Sequence, residues 1–129
     1  VILSILNSAQ TFNVCIISGK IDFDHLLTLG IEQTEFLENL YFDKVFISCQ
    51  QISLEFGVMV PDFNEKIIKN KLVNNSNKTI LCADSSKIGK TDKVVAIPFE
   101  QIDYFVTDSN IKIEDRDIIQ KAGTIILSE

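Results

Sequence analysis

The chain has 129 residues, 46% of them hydrophobic and 23% charged, the usage of one globular domain rather than of a disordered or fibrous segment. Its net charge is −6, and its 12 basic residues are dispersed along the chain, so the electrostatic footprint of a nucleic-acid binder is missing. Polar or charged residues also break every apolar run before the roughly 18 residues that a membrane span requires, which predicts a soluble protein with no membrane partner.

The opening Val1-Ile2-Leu3-Ser4-Ile5-Leu6 has neither an initiator Met nor a basic n-region; it reads as a cut inside a longer protein and not as a signal peptide. Ile2, Ile5, Leu6 and Ala9 recur at helical spacing, and Val14 to Ile17 reads as a short buried strand ending at Gly19. Between Gly30 and Tyr41, Phe36, Leu37 and Leu40 form a stripe opposite Glu32, Glu35 and Glu38, which predicts an amphipathic helix. Lys44 to Cys49 is the next strand, its Val45-Phe46-Ile47 run being of the kind covered on both faces. Pro61, then Asp62 as N-cap with Glu65 three residues on, form a capping box that opens a helix, with Ile67, Ile68, Leu72 and Val73 on its buried side.

Thr79 to Ala83, closed by Asp84-Ser85-Ser86, Val94 to Ile97, ended by Pro98, and Tyr104 to Thr107 read as strands. Glu114 and Asp115 favour a helix start, Ile118, Ile119 and Ala122 give its stripe, Lys121 falls in its last turn, and Gly123 suits a left-handed cap. Thr124 to Leu127 closes with a strand. Short apolar strands alternating with capped helices predict a single α/β domain over residues 1–129, built on a mainly parallel sheet flanked by helices. Ligands of such sheets collect beyond the carboxyl ends of the strands, which directs attention to Ser18-Gly19, Cys49-Gln50-Gln51, Asp84 to Gly89 and Thr107-Asp108.

Cys15, Cys49 and Cys82 have apolar neighbours and no short spacing, which predicts buried thiols in a reducing cytoplasm and neither a metal cluster nor a redox pair. The lone histidine, His25, has no Ser-x-Gly elbow or activated Cys with which to build a triad. No Gly-x-Gly-x-x-Gly or Walker sequence is present, so neither a nucleotide cofactor nor a metal is expected. Asp84-Ser85-Ser86-Lys87-Ile88-Gly89 places a carboxylate, two hydroxyls, an ammonium and a permissive glycine at one strand exit. Lys87 there can offer charge and donors to a phosphate; equally, Asp and Ser can make a local polar turn that leaves Lys87 in water.

In order, Ile17-Ser18-Gly19, Gly30, Phe42-Asp43-Lys44-Val45-Phe46-Ile47, Ile52-Ser53-Leu54-Glu55-Phe56-Gly57, Asp84-Ser85-Ser86-Lys87-Ile88-Gly89, Ile102-Asp103 and Thr107-Asp108 resemble the C-terminal effector domain of DeoR-type transcriptional regulators of sugar metabolism. The Phe-Asp-Lys-x-Phe strand and the Asp-Ser-Ser-Lys-x-Gly loop, at this separation, are the most specific pieces. The resemblance covers nearly the whole chain. It implies a fold related to ribose-5-phosphate isomerase and the CoA transferases, and a non-enzymatic repressor domain that binds a phosphorylated sugar and forms a homo-oligomer. DNA contact would pass through an N-terminal helix-turn-helix that lies outside this chain. Where the family usually has a Gly-Gly pair this chain has Ser18-Gly19, and the family's phosphate-gripping loop would fall upstream of Val1. Similarity to the isomerase sets Glu65 at the position of its proton-abstracting glutamate and Lys87 at that of a substrate-contacting lysine, while an aspartate position is taken by Gln50, which binds a hydroxyl but does not titrate near neutral pH. The effector-binding residues so implied are Lys87, Glu65, Gln50, Ser18, Gly19 and Asp84. The alternatives are an active isomerase relative acting on a pentose or hexose phosphate, and a purely structural oligomerisation module.

Overall fold

The computed structural model describes residues 20–22, 27–29 and 32–128, together with the single positions Asn7, Asn13 and Cys15. The expected N-terminal helix and the Val14 to Ile17 strand lie outside the described residues, as do Ser18, Gly19, His25 and Gly30. Strands β1 (Lys20–Asp22) and β2 (Leu27–Leu29) form an antiparallel pair. Helix α1 (Glu32–Glu38) is shorter than the stripe predicts: Leu37 is fully buried, whereas Phe36 and Leu40 are exposed.

The principal sheet holds β3 (Val45–Ile47), β6 (Thr79–Cys82), β8 (Tyr104–Thr107) and β9 (Ile125–Ser128) in that order, every pair parallel. The mainly parallel α/β architecture read from the alternation of strands and helices is therefore present. A second, antiparallel sheet, β4 (Gln51–Ser53), β5 (Gly57–Val60) and β7 (Val94–Ile97), is built from the crossover segments. The Val94 to Ile97 strand thus joins the small sheet. Helix α2 (Phe63–Asn74) completes the crossover from β3 to β6, and α3 (Ile113–Lys121) that from β8 to β9.

Registered neighbours in a sheet share a face. Val45, Ile47, Leu81, Phe105 and Ile126 therefore point one way, and all five are buried in the core with Val73 of α2, Ile119 of α3 and Ile52, Val58 and Val60 of the small sheet. The opposite face carries Phe46, Val106, Ile125 and Leu127, which are 69%, 39%, 52% and 49% exposed. Burial of a Leu or Phe contributes about 1.5–3 kcal/mol, so the α2 and α3 side of the sheet holds most of the described stability. Ile67 and Ile118, assigned to buried stripes from sequence, are instead exposed, because each helix meets the sheet along a narrower line through Val73 and Ile119.

Candidate functional site

Helix α2 runs against the strands and so begins at their carboxyl ends. At its far end Phe42 N donates to Asn75 O at 2.8 Å and Asn77 N to Phe42 O at 2.8 Å, beside the start of β3. At its near end Lys69 Nζ reaches back to Ser48 O, just past β3, at 2.7 Å. Asp62 caps the helix, accepting from Glu65 N at 2.9 Å. This satisfies an amide that a helix start leaves without a partner. Glu65 uses its carboxylate differently from the reciprocal capping bond that the sequence suggests: it pairs with Lys69 Nζ at 3.3 Å, one turn along.

The loop after β6, like this helix, carries charges within electrostatic reach of Cys49. Asp84 accepts from Ser86 N at 3.0 Å and from the Ser86 hydroxyl, winding Ser85–Lys87 into a 3-10 turn. Those bonds, together with the nearby Lys87 ammonium, hold the Asp84 carboxyl below its ordinary range. Asp108, just past β8, clamps the start of the loop: it accepts from Ser85 N at 2.6 Å, the Ser85 hydroxyl at 2.9 Å and Asn110 N at 2.8 Å. Amide and hydroxyl donors favour the ionised form, and they lower its pKa to about 2. The loop closes where Gly89 N and Lys90 N donate to Ile52 O at 2.9 and 3.3 Å, with Gly89 at φ +78°. Part of the polar-turn reading is thus realised, in the bonds of Asp84 and Ser85. Lys87 itself stands 4.0 Å from Asp84 Oδ2, a distance that leaves its donors able to turn to a ligand.

Cys49 marks where these elements converge. Lys69, Lys87, Asp84 and Glu65 are the charges that reach its thiol, yet burial outweighs them and pushes its pKa up to about 11. The thiol stays protonated near neutral pH and is a poor nucleophile. Four of the six residues singled out from sequence are thus placed: Glu65, Asp84 and Lys87 gather around Cys49, and Gln50 follows it in the chain, exposed. Ser18 and Gly19 fall outside the described residues. Cys49 and Cys82 are only partly buried, and Cys15 is exposed, which corrects the expectation of buried thiols. Successive residues of an extended chain can face opposite ways, so apolar sequence neighbours do not require a buried thiol. Sequence reasoning missed Lys69; the available signal was its place four residues after Glu65, on the same helix face.

A cleft of about 340 Å³ opens at the opposite, amino end of the sheet, between Ser76, Thr79, Glu100 and Asp103. Its walls carry carboxylates, and Lys78 nearby is bound to Asp103 at 2.6 Å. An anion is repelled there.

Comparison with known proteins places the chain in a family. The family described as the DeoR C terminal sensor domain matches residues 1–109. The HTH-type transcriptional regulator GlpR of Haloferax volcanii is 30% identical over 99 residues, 77% of this chain and 39% of its own. The HTH-type transcriptional repressor GlcR of Bacillus subtilis is 24% identical over 123 residues, 95% and 47% of the two chains. The HTH-type transcriptional regulator IolR of Bacillus subtilis is 26% identical over 115 residues, 87% and 46%. The chain spans less than half the length of these curated relatives. With the family match running from residue 1 through β8 and the Asp108 clamp, this chain belongs to the DeoR C-terminal sensor domain family.

Proposed function

We propose that the chain is the effector-binding and oligomerising part of a DeoR-type transcriptional regulator, a repressor that senses a phosphorylated sugar at the carboxyl ends of its strands. The observation that carries this reading is the convergence of two ammonium groups, Lys69 and Lys87, with Glu65 and Asp84 around Cys49. Lys87 supplies charge and donors to the phosphate. Glu65, Asp84 and Gln50 offer acceptors to sugar hydroxyls, and the family resemblance assigns Ser18 and Gly19 to effector binding as well. Residues 1–129 form the C-terminal portion of one effector domain in a cytoplasmic protein, whose helix-turn-helix precedes it and makes the DNA contact. Effector binding changes DNA affinity only if the sugar phosphate prefers one of two states of the protein.

The site senses and does not catalyse. Glu65 is paired with Lys69, Gln50 has no proton to exchange near neutral pH, and the Cys49 thiol is held protonated. Self-association belongs to the same reading, because symmetric oligomers bury apolar surface such as the Phe46, Val106, Ile125 and Leu127 face. The test is a calorimetric titration of the full-length regulator with pentose and hexose phosphates, alongside a search for aldose–ketose turnover. Saturable binding of one sugar phosphate, without turnover, is the expected result. Turnover lost in Glu65→Gln would make the protein an isomerase, and no binding across the panel would overturn the sensing role.

A further inference from the structure

The loop that carries Lys87 is fastened at both ends, and beside each fastening lies a polar oxygen that the interior does not satisfy. At its start, Ser85 is held by Asp108, whose neighbour Thr107 ends β8. At its close, Gly89 is held by the carbonyl of Ile52, whose neighbour Gln51 begins β4. Thr107 Oγ1 and Gln51 Oε1 are both buried with no hydrogen-bond partner among the described residues. Buried polar atoms are ordinarily paired, and an unpaired one is a cost that asks for a reason.

Both residues are only partly buried as a whole, although these oxygens are turned inward. A ligand seated against the Lys87 loop reaches these oxygens only if each side chain rotates outward. Their anchors, Ser85 and Gly89, are four residues apart, so the two fastenings are separated by at most about 14 Å of chain. The 3-10 turn between them shortens that span. The chemistry of the oxygens then limits the ligand. An amide oxygen can only accept a hydrogen bond, so Gln51 Oε1 calls for a donor. A phosphate ionised at neutral pH offers few donors, whereas a sugar offers a row of hydroxyls.

We propose that Gln51 and Thr107 are the residues that read the hydroxyl pattern of the effector, while Lys87 holds its phosphate. The inference rests on the sugar-phosphate reading and adds a division of labour within that site. Gln51, rather than the exposed Gln50 next to it, becomes the amide that discriminates among sugars. Binding is favoured because the ligand's hydroxyls satisfy oxygens that the free protein leaves unpaired.

The test uses the full-length protein and calorimetric titration with pentose and hexose phosphates, their deoxy counterparts and inorganic phosphate. Thr107→Val and Gln51→Met remove the oxygens with little change of shape. Each should weaken the best-bound sugar phosphate about three- to tenfold and shrink its advantage over a deoxy counterpart. Neither should change the affinity for inorganic phosphate or lower the melting temperature, since no bond to the described residues is lost, and Thr107→Ser should retain wild-type affinity. Unchanged sugar-phosphate affinity in both variants, while Lys87→Ala still weakens it, overturns this inference and leaves the sensing role standing. A lowered melting temperature with discrimination intact makes both residues structural and overturns it as well. Failure of the wild type to bind any sugar phosphate overturns both.

Discussion

Alanine at Gly57 should destabilise the protein well beyond the same change at Gly89 or Gly123. All three glycines have left-handed backbones, with φ of +84°, +78° and +101°, so alanine takes on about 1–2 kcal/mol of conformational cost at each. They differ in the space around them. A Cβ at Gly57 would stand 2.3 Å from Ile97 O and 2.9 Å from Pro98 Cα, whereas at Gly89 and Gly123 it meets nothing within 4 Å among the described residues. Ile97 is fully buried and registered with Val58, so its carbonyl cannot retreat without opening the β5–β7 pairing. Overpacking of that kind adds about 1–3 kcal/mol. The totals are about 2–5 kcal/mol at Gly57 against about 1–2 kcal/mol at the other two. At roughly 3–4 °C per kcal/mol for a domain of this size, Gly57→Ala should melt about 3–12 °C below Gly89→Ala. Thermal unfolding of the three variants side by side checks this. Melting of Gly57→Ala within about 2 °C of Gly89→Ala would show that the close approach to Ile97 does not govern the packing of the small sheet.

Three further outcomes follow from individual bonds. Asp62→Ala should cost about 1 kcal/mol in a denaturant melt, because the Glu65 amide loses its acceptor; an unchanged midpoint would mean the cap contributes nothing. Asp108 has a folded-state pKa of about 2 against an ordinary 3.8, so its contribution is complete above the ordinary value and is lost as pH falls through about 4 to 2. Asp108→Asn should accordingly lower stability at neutral pH and flatten that part of the acid-unfolding curve, and identical curves for the two proteins would refute the clamp. Alkylation at pH 8 should reach exposed Cys15 ahead of Cys49, whose pKa is about 11; equal rates in the folded protein would contradict the partly buried, protonated thiol.

What the sequence could reveal depended on how local the cause was. The Asp62 cap, the left-handed Gly89 and Gly123 and the apolar runs of β3, β6 and β8 are set by neighbouring residues, and they read directly from the chain. Strands β4 and β5 are three and four residues long and flank a Ser53 to Phe56 turn, too short for periodicity to show. Their pairing is non-local, with β7 arriving about 35 residues later, so β7 looked like another strand of the parallel sheet. In the candidate site, Asp84, Lys87 and Glu65 are drawn from motif order and the placement of ligands at strand exits. Lys69 is not, because its role depends on the carbonyl of Ser48 across the helix–strand interface. The orphan oxygens of Gln51 and Thr107 likewise arise from tertiary packing, which leaves no mark in spacing.

The central claim, that the strand exits bind a phosphorylated sugar through Lys87, is tested most directly by calorimetry of the wild-type regulator against Lys87→Ala, with a thermal melt of each as the folding control. Removing a charge-assisted bond should weaken the best-bound sugar phosphate by about 1.5–3 kcal/mol, roughly ten- to a hundredfold. The melting temperature should stay nearly unchanged, since among the described residues Lys87 has only its 4.0 Å approach to Asp84 to lose. Affinity within about 0.5 kcal/mol of wild type, the range of an ordinary surface substitution, would contradict the account and return Lys87 to the solvent.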